Sequence, residues 1–255
     1  MTPGEFEGKI VLVTGASRGI GKAIAEQFAV HGARVALHFN AHRSLAEQVR
    51  ASLAGGPHIL LQADLAGPDS ATNLIEAVAR DLGRIDILIN NAGIYELHPP
   101  AQTDFPQWTE VWDRTIAVNL TAPAHLSYCA IRHMLRQGGG TIVNISSRGA
   151  FRGEPAAPAY GAAKAGLNAL GQSMAKGLAP YNIFVYTVAP GWVDTDMASP
   201  SMAGPNADSV KAQSPLNRLG RPEEIARIVL FLASEQSHYM TGCIIDANGA
   251  SYLRT

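Results

Sequence analysis

The sequence predicts an α/β fold, a doubly wound parallel sheet of seven strands with helices on both faces. Apolar β-rich runs alternate with helical patterns almost to the end of the 255 residues. The runs are apolar at consecutive rather than alternate positions, which is how strands covered on both faces read. A glycine-rich turn follows the first run directly, at Thr14-Gly15-Ala16-Ser17-Arg18-Gly19-Ile20-Gly21. Such a turn puts a ligand outside the carboxyl ends of the strands.

In chain order, a strand over 9–14 and its turn lead into a helix over 20–31. Strand 34–39, helix 44–54, strand 58–63 and helix 69–82 follow, then strand 85–90 and a long helix over 107–137. Strand 141–146, helix 158–179, strand 182–189, helix 222–233 and strand 243–246 complete the alternation. The one long irregular stretch, 191–220, is rich in Pro, Ser, Ala and Gly. A loop of that length in a compact domain is usually functional, here as a substrate lid. No repeat, low-complexity tract or composition shift marks a second domain. Residues 1–255 therefore read as one Rossmann-type domain that binds a dinucleotide and carries the catalytic groups.

With 47% hydrophobic and 16% charged residues the chain can build a sizeable core and is not extensively disordered. A net charge of −1 without a Lys/Arg cluster argues against nucleic acid or an anionic membrane as partner. Residues 1–9 carry no apolar signal-type run, and no apolar stretch is long enough to span a bilayer. Cys129 and Cys243 are too few and too separate for a disulfide framework. They read as buried free thiols in a reducing cytoplasm.

In the turn, Gly15 permits the tight bend, Gly19 lets backbone approach a pyrophosphate, and Gly21 lets helix and strand pack closely. The helix N-terminus supplies free N–H groups and about half a positive charge for the phosphates. The same residues also spell Gly15-x-Ser17-x-Gly19, a hydrolase nucleophile elbow. An elbow belongs deep in the sheet with its acid and His following, whereas this turn follows the first strand.

An NAD enzyme wants a carboxylate at the end of the second strand for the ribose 2′-hydroxyl. Position 39 is Phe, and Asn40-Ala41-His42-Arg43-Ser44 offers donors and a cation but no acid. Arg18 is a second cation able to reach the same spot. A 2′-phosphate favours such surroundings through charge-assisted hydrogen bonds, so NADP(H) is the expected cofactor.

Tyr160 and Lys164 lie four apart on a predicted helix and so share a face. A phenol of pKa about 10 is a poor base at neutral pH. An ammonium about 4 Å away contributes roughly 4 kcal/mol at an effective dielectric near 20, or about three pK units. That predicts a Tyr160 pKa lowered into the range of a general acid/base. Ser147, after the fifth strand, is placed to hydrogen-bond a substrate oxygen as charge develops.

With these motifs the chain resembles the short-chain dehydrogenase/reductase family, in its branch of about 250 residues. Its nearest general likeness is to 3-oxoacyl-(acyl-carrier-protein) reductases. The resemblance runs from Lys9 to Gly249 and is carried by Thr14 to Gly21, Asp64-Leu65, Asn90-Asn91-Ala92-Gly93, Asn119, Ser147, Tyr160 with Lys164, and Pro190-Gly191 with Thr195. It implies that Asp64 and Leu65 flank an adenine and that Asn90 to Gly93 brace the sheet beside the adenosine ribose. It makes Tyr160 the proton donor in reduction, and Lys164 the partner of the nicotinamide ribose. Asn119 would hold a water that links Lys164 to solvent, Ser147 would orient the carbonyl, and Val193 and Thr195 would hold the carboxamide. A homotetramer built on the helices near 107–137 and 158–179 is implied as well.

Some residues depart from the family pattern. Tyr186 stands where many relatives carry Asn, an effect on packing more than chemistry. Gly138 and Tyr181 match positions where some relatives dock an acidic carrier with basic residues. The lid carries Met197 and Met202, and the loop after Ser147 carries Arg148, Arg152 and Glu154. Those two arginines are read either as solvated or as facing an acidic substrate group. His125, Cys129 and His133 share a helix face but lack a fourth ligand, so no metal site is expected. Trp108, Trp112 and Trp192 read as packing at helix or pocket edges. The expected activity is NADPH-dependent reduction of a small ketone, such as a 3-oxoacyl thioester. The alternatives are an alcohol or sugar dehydrogenase running oxidatively, and a dinucleotide-binding regulator without turnover.

Overall fold

Four consecutive apolar residues, Ile10–Val13, form β1 in the middle of the sheet with every side chain buried. The computed structural model describes residues 4–203, 205 and 207–254. Around β1 stand β2 (Arg34–Phe39), β3 (Ile59–Gln62), β4 (Ile87–Asn90), β5 (Gly140–Ile145), β6 (Ile183–Pro190) and β7 (Ile244–Ala247). All pairings are parallel, in the order β3-β2-β1-β4-β5-β6-β7. The chain winds outward from β1 in one direction and then, from β4, in the other. The carboxyl ends of β1 and β4 therefore diverge into a crevice, the usual ligand position of such sheets.

Alternate side chains of β1 feed two cores, as strand geometry requires. Val11 and Val13 pack with Ile24 and Phe28 of α1 (Gly19–Val30) and Val229 and Leu230 of the C-terminal helix Pro222–Ala233. Ile10 and Leu12 face the opposite layer, with Leu74, Ile75 and Val78 and with Leu126, Ala130 and Met134. Leu12 is fully buried, so Leu12→Ala should cost about 2–5 kcal/mol. The remaining helices are α2 (Arg43–Ser52), α3 (Ser70–Leu82), α4 (Phe105–Ile116), α5 (Ala122–Gln137), α6 (Gly149–Arg152), α7 (Pro158–Leu178), α8 (Ser199–Met202) and α9 (Ala207–Ala212). The helix Pro222–Ala233 is α10.

Three features differ from expectation. The predicted helix over 107–137 is α4 and α5 joined by a π-turn, Ala117–Thr121. Its cause is in the sequence: Pro123 has no N–H for the carbonyl of Asn119 four residues back. The stretch 191–220 carries α8 and α9, and its base is closed by Asp194 N–H to Gly220 O and Gly220 N–H to Trp192 O, both 2.9 Å. Gly204 and Asn206, within that expected lid, lie outside the described residues, as do 1–3 and 255 of the expected domain. Cys129 and Cys243 are free, but each is partly rather than fully buried. Tyr186 is buried, with its hydroxyl 3.0 Å from Ser237 Oγ, which is a packing role. Among the described residues no helix is long and apolar enough to cross a membrane.

Candidate active site

The turn after β1 is built by side chains on three strands. Thr14 Oγ1 accepts from the backbone N–H groups of Asn91 (2.9 Å) and Ala92 (3.0 Å), tying β1 to the end of β4. Asn91 Nδ2 donates back to Thr14 O and Gly15 O. Gly21 has no room for a side chain, since a Cβ there would stand 2.2 Å from Gly15 O. On the other side Gly15 N–H donates to His38 Nδ1 at 3.1 Å. That fixes His38 as a neutral ring donating from Nε2 to Ala63 O at 3.0 Å. Burial pushes its pKa down to about 4. α1 then starts with no side-chain cap and no acid in its first turn, which leaves its N–H groups and positive end suited to a pyrophosphate.

One cleft of about 650 Å³ takes in this turn and the proton-transfer residues. Every residue expected in the site lines it except Arg43, Ser44 and Asn119. Arg43 opens α2, lies over the Phe39 ring at 5.5 Å, bonds Gln62 and pairs with Glu47 one helical turn on, at the edge of the cleft that Phe39 and Asn40 line. Ser44 follows it in the helix. Arg18 stays in the cleft, paired with Asp196 of the 191–220 segment at 3.1 Å. Asp64 Oδ1 is braced by Ala66 N–H at 3.1 Å.

Asn119 sits on the π-turn, where such irregularities often mark function. Its side chain is fully engaged by Ile94: Oδ1 accepts from the Ile94 N–H and Nδ2 donates to the Ile94 carbonyl, both at 2.8 Å. Gly93 lies between this amide and Lys164; a Cβ on it would meet Asn119 Oδ1 at 3.2 Å and Lys164 Nζ at 3.5 Å.

Lys164 is buried, and its ammonium donates to Ile145 O at 2.8 Å. Burial lowers its pKa to about 8. Tyr160 moves against expectation: its pKa is pushed up to about 12, first by burial, with Ser147 pulling it down and Glu154 and Tyr95 pushing it further up. The ammonium is held at the end of β5, 5.7 Å from the Tyr160 ring centre. It does not offset the cost of a buried phenolate. Ser147 Oγ accepts from Gly149 N–H at 3.0 Å, which orients it at the start of α6.

Two neighbours of this set, Tyr95 and His98, were not legible as site residues. Tyr95 packs edge-on against Tyr160 at 5.0 Å between centroids, and its hydroxyl reaches Glu154 Oε2 at 3.5 Å. His98, fully buried, accepts the Ala159 N–H on Nε2 at 3.1 Å. It thereby caps the helix start that carries Tyr160. The only hint was a helix opening without its own cap, and nothing local points 61 residues back. Along α5, His133 bonds Glu76 and Cys129 faces Thr72. Among the described residues no group of three or more His, Cys, Asp or Glu could hold a metal.

Comparison with known proteins agrees in fold and length. The family described as Enoyl-(Acyl carrier protein) reductase matches residues 15–249. The 3-oxoacyl-(acyl-carrier-protein) reductase FabG of Escherichia coli is 37% identical over 251 residues, covering 97% of this chain and 99% of that protein. The angucycline C-6 ketoreductase LanV, solved with bound NADP, superposes with a TM-score of 0.88 at 34% identity, over 97% of each chain. A short chain dehydrogenase from Burkholderia cenocepacia, in complex with NADP, gives the same score and identity, over 97% of this chain and 99% of that one.

Proposed function

The chain belongs to the short-chain dehydrogenase/reductase family, and from that premise we propose that it is an NADPH-dependent reductase of ketones, with Tyr160 as proton donor. One observation carries the reading: the chain matches a 3-oxoacyl reductase at 37% identity over nearly its whole length and superposes on a ketoreductase solved with NADP. A Tyr160 pKa near 12 keeps the phenol protonated at neutral pH, ready to give a proton to an oxygen that becomes alkoxide.

The cofactor fits the residues present: an uncapped helix start, a turn that excludes a Cβ at Gly21, and a strand end with Phe39 in place of an acid. Gly15 to Gly21 would hold the pyrophosphate, Asp64 and Leu65 the adenine, and Asn91 to Gly93 the adenosine ribose. Arg18, Asn40 and His42 would meet the 2′-phosphate. Pro190, Gly191, Val193 and Thr195 would hold the nicotinamide end. Bound there, the reduced nicotinamide supplies the hydride.

Ser147 Oγ holds the substrate carbonyl and Tyr160 O–H protonates its oxygen. Lys164 keeps a positive charge behind Tyr160 and draws replacement protons from solvent. Because Asn119 Oδ1 and Nδ2 each already bond Ile94, its backbone carbonyl, which Pro123 deprives of the usual i+4 donor, would hold the relay water. The 191–220 segment closes over the substrate as a lid.

A homotetramer and a cytoplasmic location belong to the same reading. Phe105, Tyr128 and Leu135 expose apolar surface along α4 and α5, which supports an assembly on those helices. Two unpaired cysteines suit a reducing compartment. Light scattering tests the assembly, and a monomeric mass contradicts it. The activity is tested by following NADPH absorbance with ethyl acetoacetate, an acetoacetyl thioester, a diketone and a keto sugar. Ketone-dependent oxidation of NADPH supports the proposal; tight NADPH binding without turnover on any of them would return it to a dinucleotide-binding regulator.

A further inference from the structure

The loop after Ser147 buries a cation that has no anion. Arg148 is only 3% exposed, with its backbone N–H fixed to Pro190 O at 2.9 Å. Its Nη2 donates to the side-chain oxygen of Gln213, and its Nη1 is buried with no partner at all. Among the described residues no carboxylate hydrogen-bonds or pairs directly with Arg148: Glu154 acts on it only through space and makes its contact with Arg152, at 3.7 Å. Buried arginines are rare without a paired anion, since desolvating the charge is expensive.

Gln213 itself is over-subscribed. Its single Oε1 faces Arg148 Nη2, Arg152 Nη1 at 3.4 Å and Trp192 Nε1 at 3.3 Å. An amide oxygen has two lone pairs; a carboxylate offers about four acceptor positions and the charge this donor set lacks. Arg148 and Trp192 line both the cleft that holds Tyr160 and an adjoining cavity of about 190 Å³ under the 191–220 segment. Glu154 stands on the Tyr95 side of Tyr160 and repels an anion from that wall.

We propose that the ketone reduced here carries a carboxylate, bound by Arg148 and Trp192 in the place that Gln213 Oε1 now occupies. This deepens the ketone-reductase reading and rests on it. Arg148 is then a specificity-determining residue. The carbonyl lies at Ser147 and Tyr160, the acid end lies toward the lid, and Gln213 is the acceptor that fills the donor set between turnovers.

The test is steady-state reduction, with NADPH, of pyruvate, acetoacetate and levulinate, each against its ethyl ester, with acetonylphosphonate as a phosphorus oxyanion. Wild type, Arg148→Met and Gln213→Glu are compared, and NADPH titration shows that each is folded. The expected result is a kcat/KM at least tenfold higher for one oxo acid than for its ester. In Arg148→Met that advantage falls by roughly 10- to 100-fold, the scale of a lost charge-assisted bond. Gln213→Glu, which supplies an internal carboxylate, raises the KM of the oxo acid more than that of the ester. Esters reduced as well as or better than acids, or an acid preference that survives in Arg148→Met, overturn the proposal while the reductase reading stands. A higher kcat/KM for acetonylphosphonate than for any oxo acid overturns the choice of carboxylate. No reduction of acid or ester despite NADPH binding overturns this proposal alone if the thioester, diketone or keto sugar is turned over, and removes the reductase reading with it if none is.

Discussion

The Lys164 ammonium donates a 2.8 Å hydrogen bond to the carbonyl of Ile145, which pins the charge at the carboxyl end of β5, inside the protein. Burial there lowers its pKa to about 8. Reduction rates should therefore decline above about pH 8, where Lys164 loses its proton, well before Tyr160 ionises near 12. Stability runs the other way. Between about 8 and 10.5 the unfolded chain binds the extra proton, so folding is favoured as pH rises. A rate profile that is flat to pH 10 would contradict the assignment, and Lys164→Met should remove the pH 8 limb along with most of the rate.

His38 braces the phosphate turn only while neutral. Its pKa drops from 6.5 to about 4 on folding, so its contribution is complete above pH 6.5 and is lost as pH falls toward 4. The span corresponds to about 3 kcal/mol. Urea unfolding of wild type should weaken over that interval, whereas His38→Ala should be less stable at pH 7 and lose less between pH 6.5 and 4. Equal slopes in the two proteins would rule the buried neutral ring out.

Gly21 and Gly93 are closed to side chains for different reasons. A Cβ at Gly21 meets backbone, Gly15 O at 2.2 Å, and must displace the turn. Gly21→Ala should raise the NADPH dissociation constant at least tenfold. At Gly93 the contacts are the Asn119 amide and the tip of Lys164 at 3.2 and 3.5 Å. Gly93→Ala should lower kcat severalfold with a smaller change in cofactor affinity, which isothermal titration and initial rates separate.

Cofactor preference should reside more in Arg18 than in Arg43. Arg18 lines the cleft, whereas Arg43 is held against Phe39, Gln62 and Glu47. Arg18→Ala should raise the NADPH dissociation constant about tenfold and leave NADH nearly unchanged, as expected for one charge-assisted phosphate contact. Arg43→Ala should change either by less than twofold.

Much of this architecture is readable in advance because it depends on local pattern. Ile10–Val13 is a short, β-branched apolar run that ends in a glycine turn, the pattern of a strand covered on both faces. The turn at Gly15 to Gly21 likewise shows itself through residues that are contiguous in sequence. The π-turn at 117–121 was within reach, since Pro123 stands inside the predicted helix. What could not be read were contacts between distant segments. Gly15 with His38 and Ala159 with His98 are of this kind. The Tyr160 pKa failed to follow helical spacing for a related reason. A four-residue offset places Lys164 on the same face, but burial and the Ile145 carbonyl decide where its charge acts. Sequence alone leaves Arg148 equally open to being solvated or to facing an acidic group; its burial against Gln213 and the Pro190 carbonyl is a contact between distant segments.

The most direct test of the account compares wild type with Tyr160→Phe for NADPH-dependent reduction of a ketone that wild type turns over, alongside the NADPH dissociation constant of each. Loss of a positioned general acid should lower kcat by roughly 10²- to 10⁴-fold with the dissociation constant within about threefold of wild type. A phenylalanine variant that binds NADPH and reduces the ketone at near wild-type rates would show that the proton comes from another group.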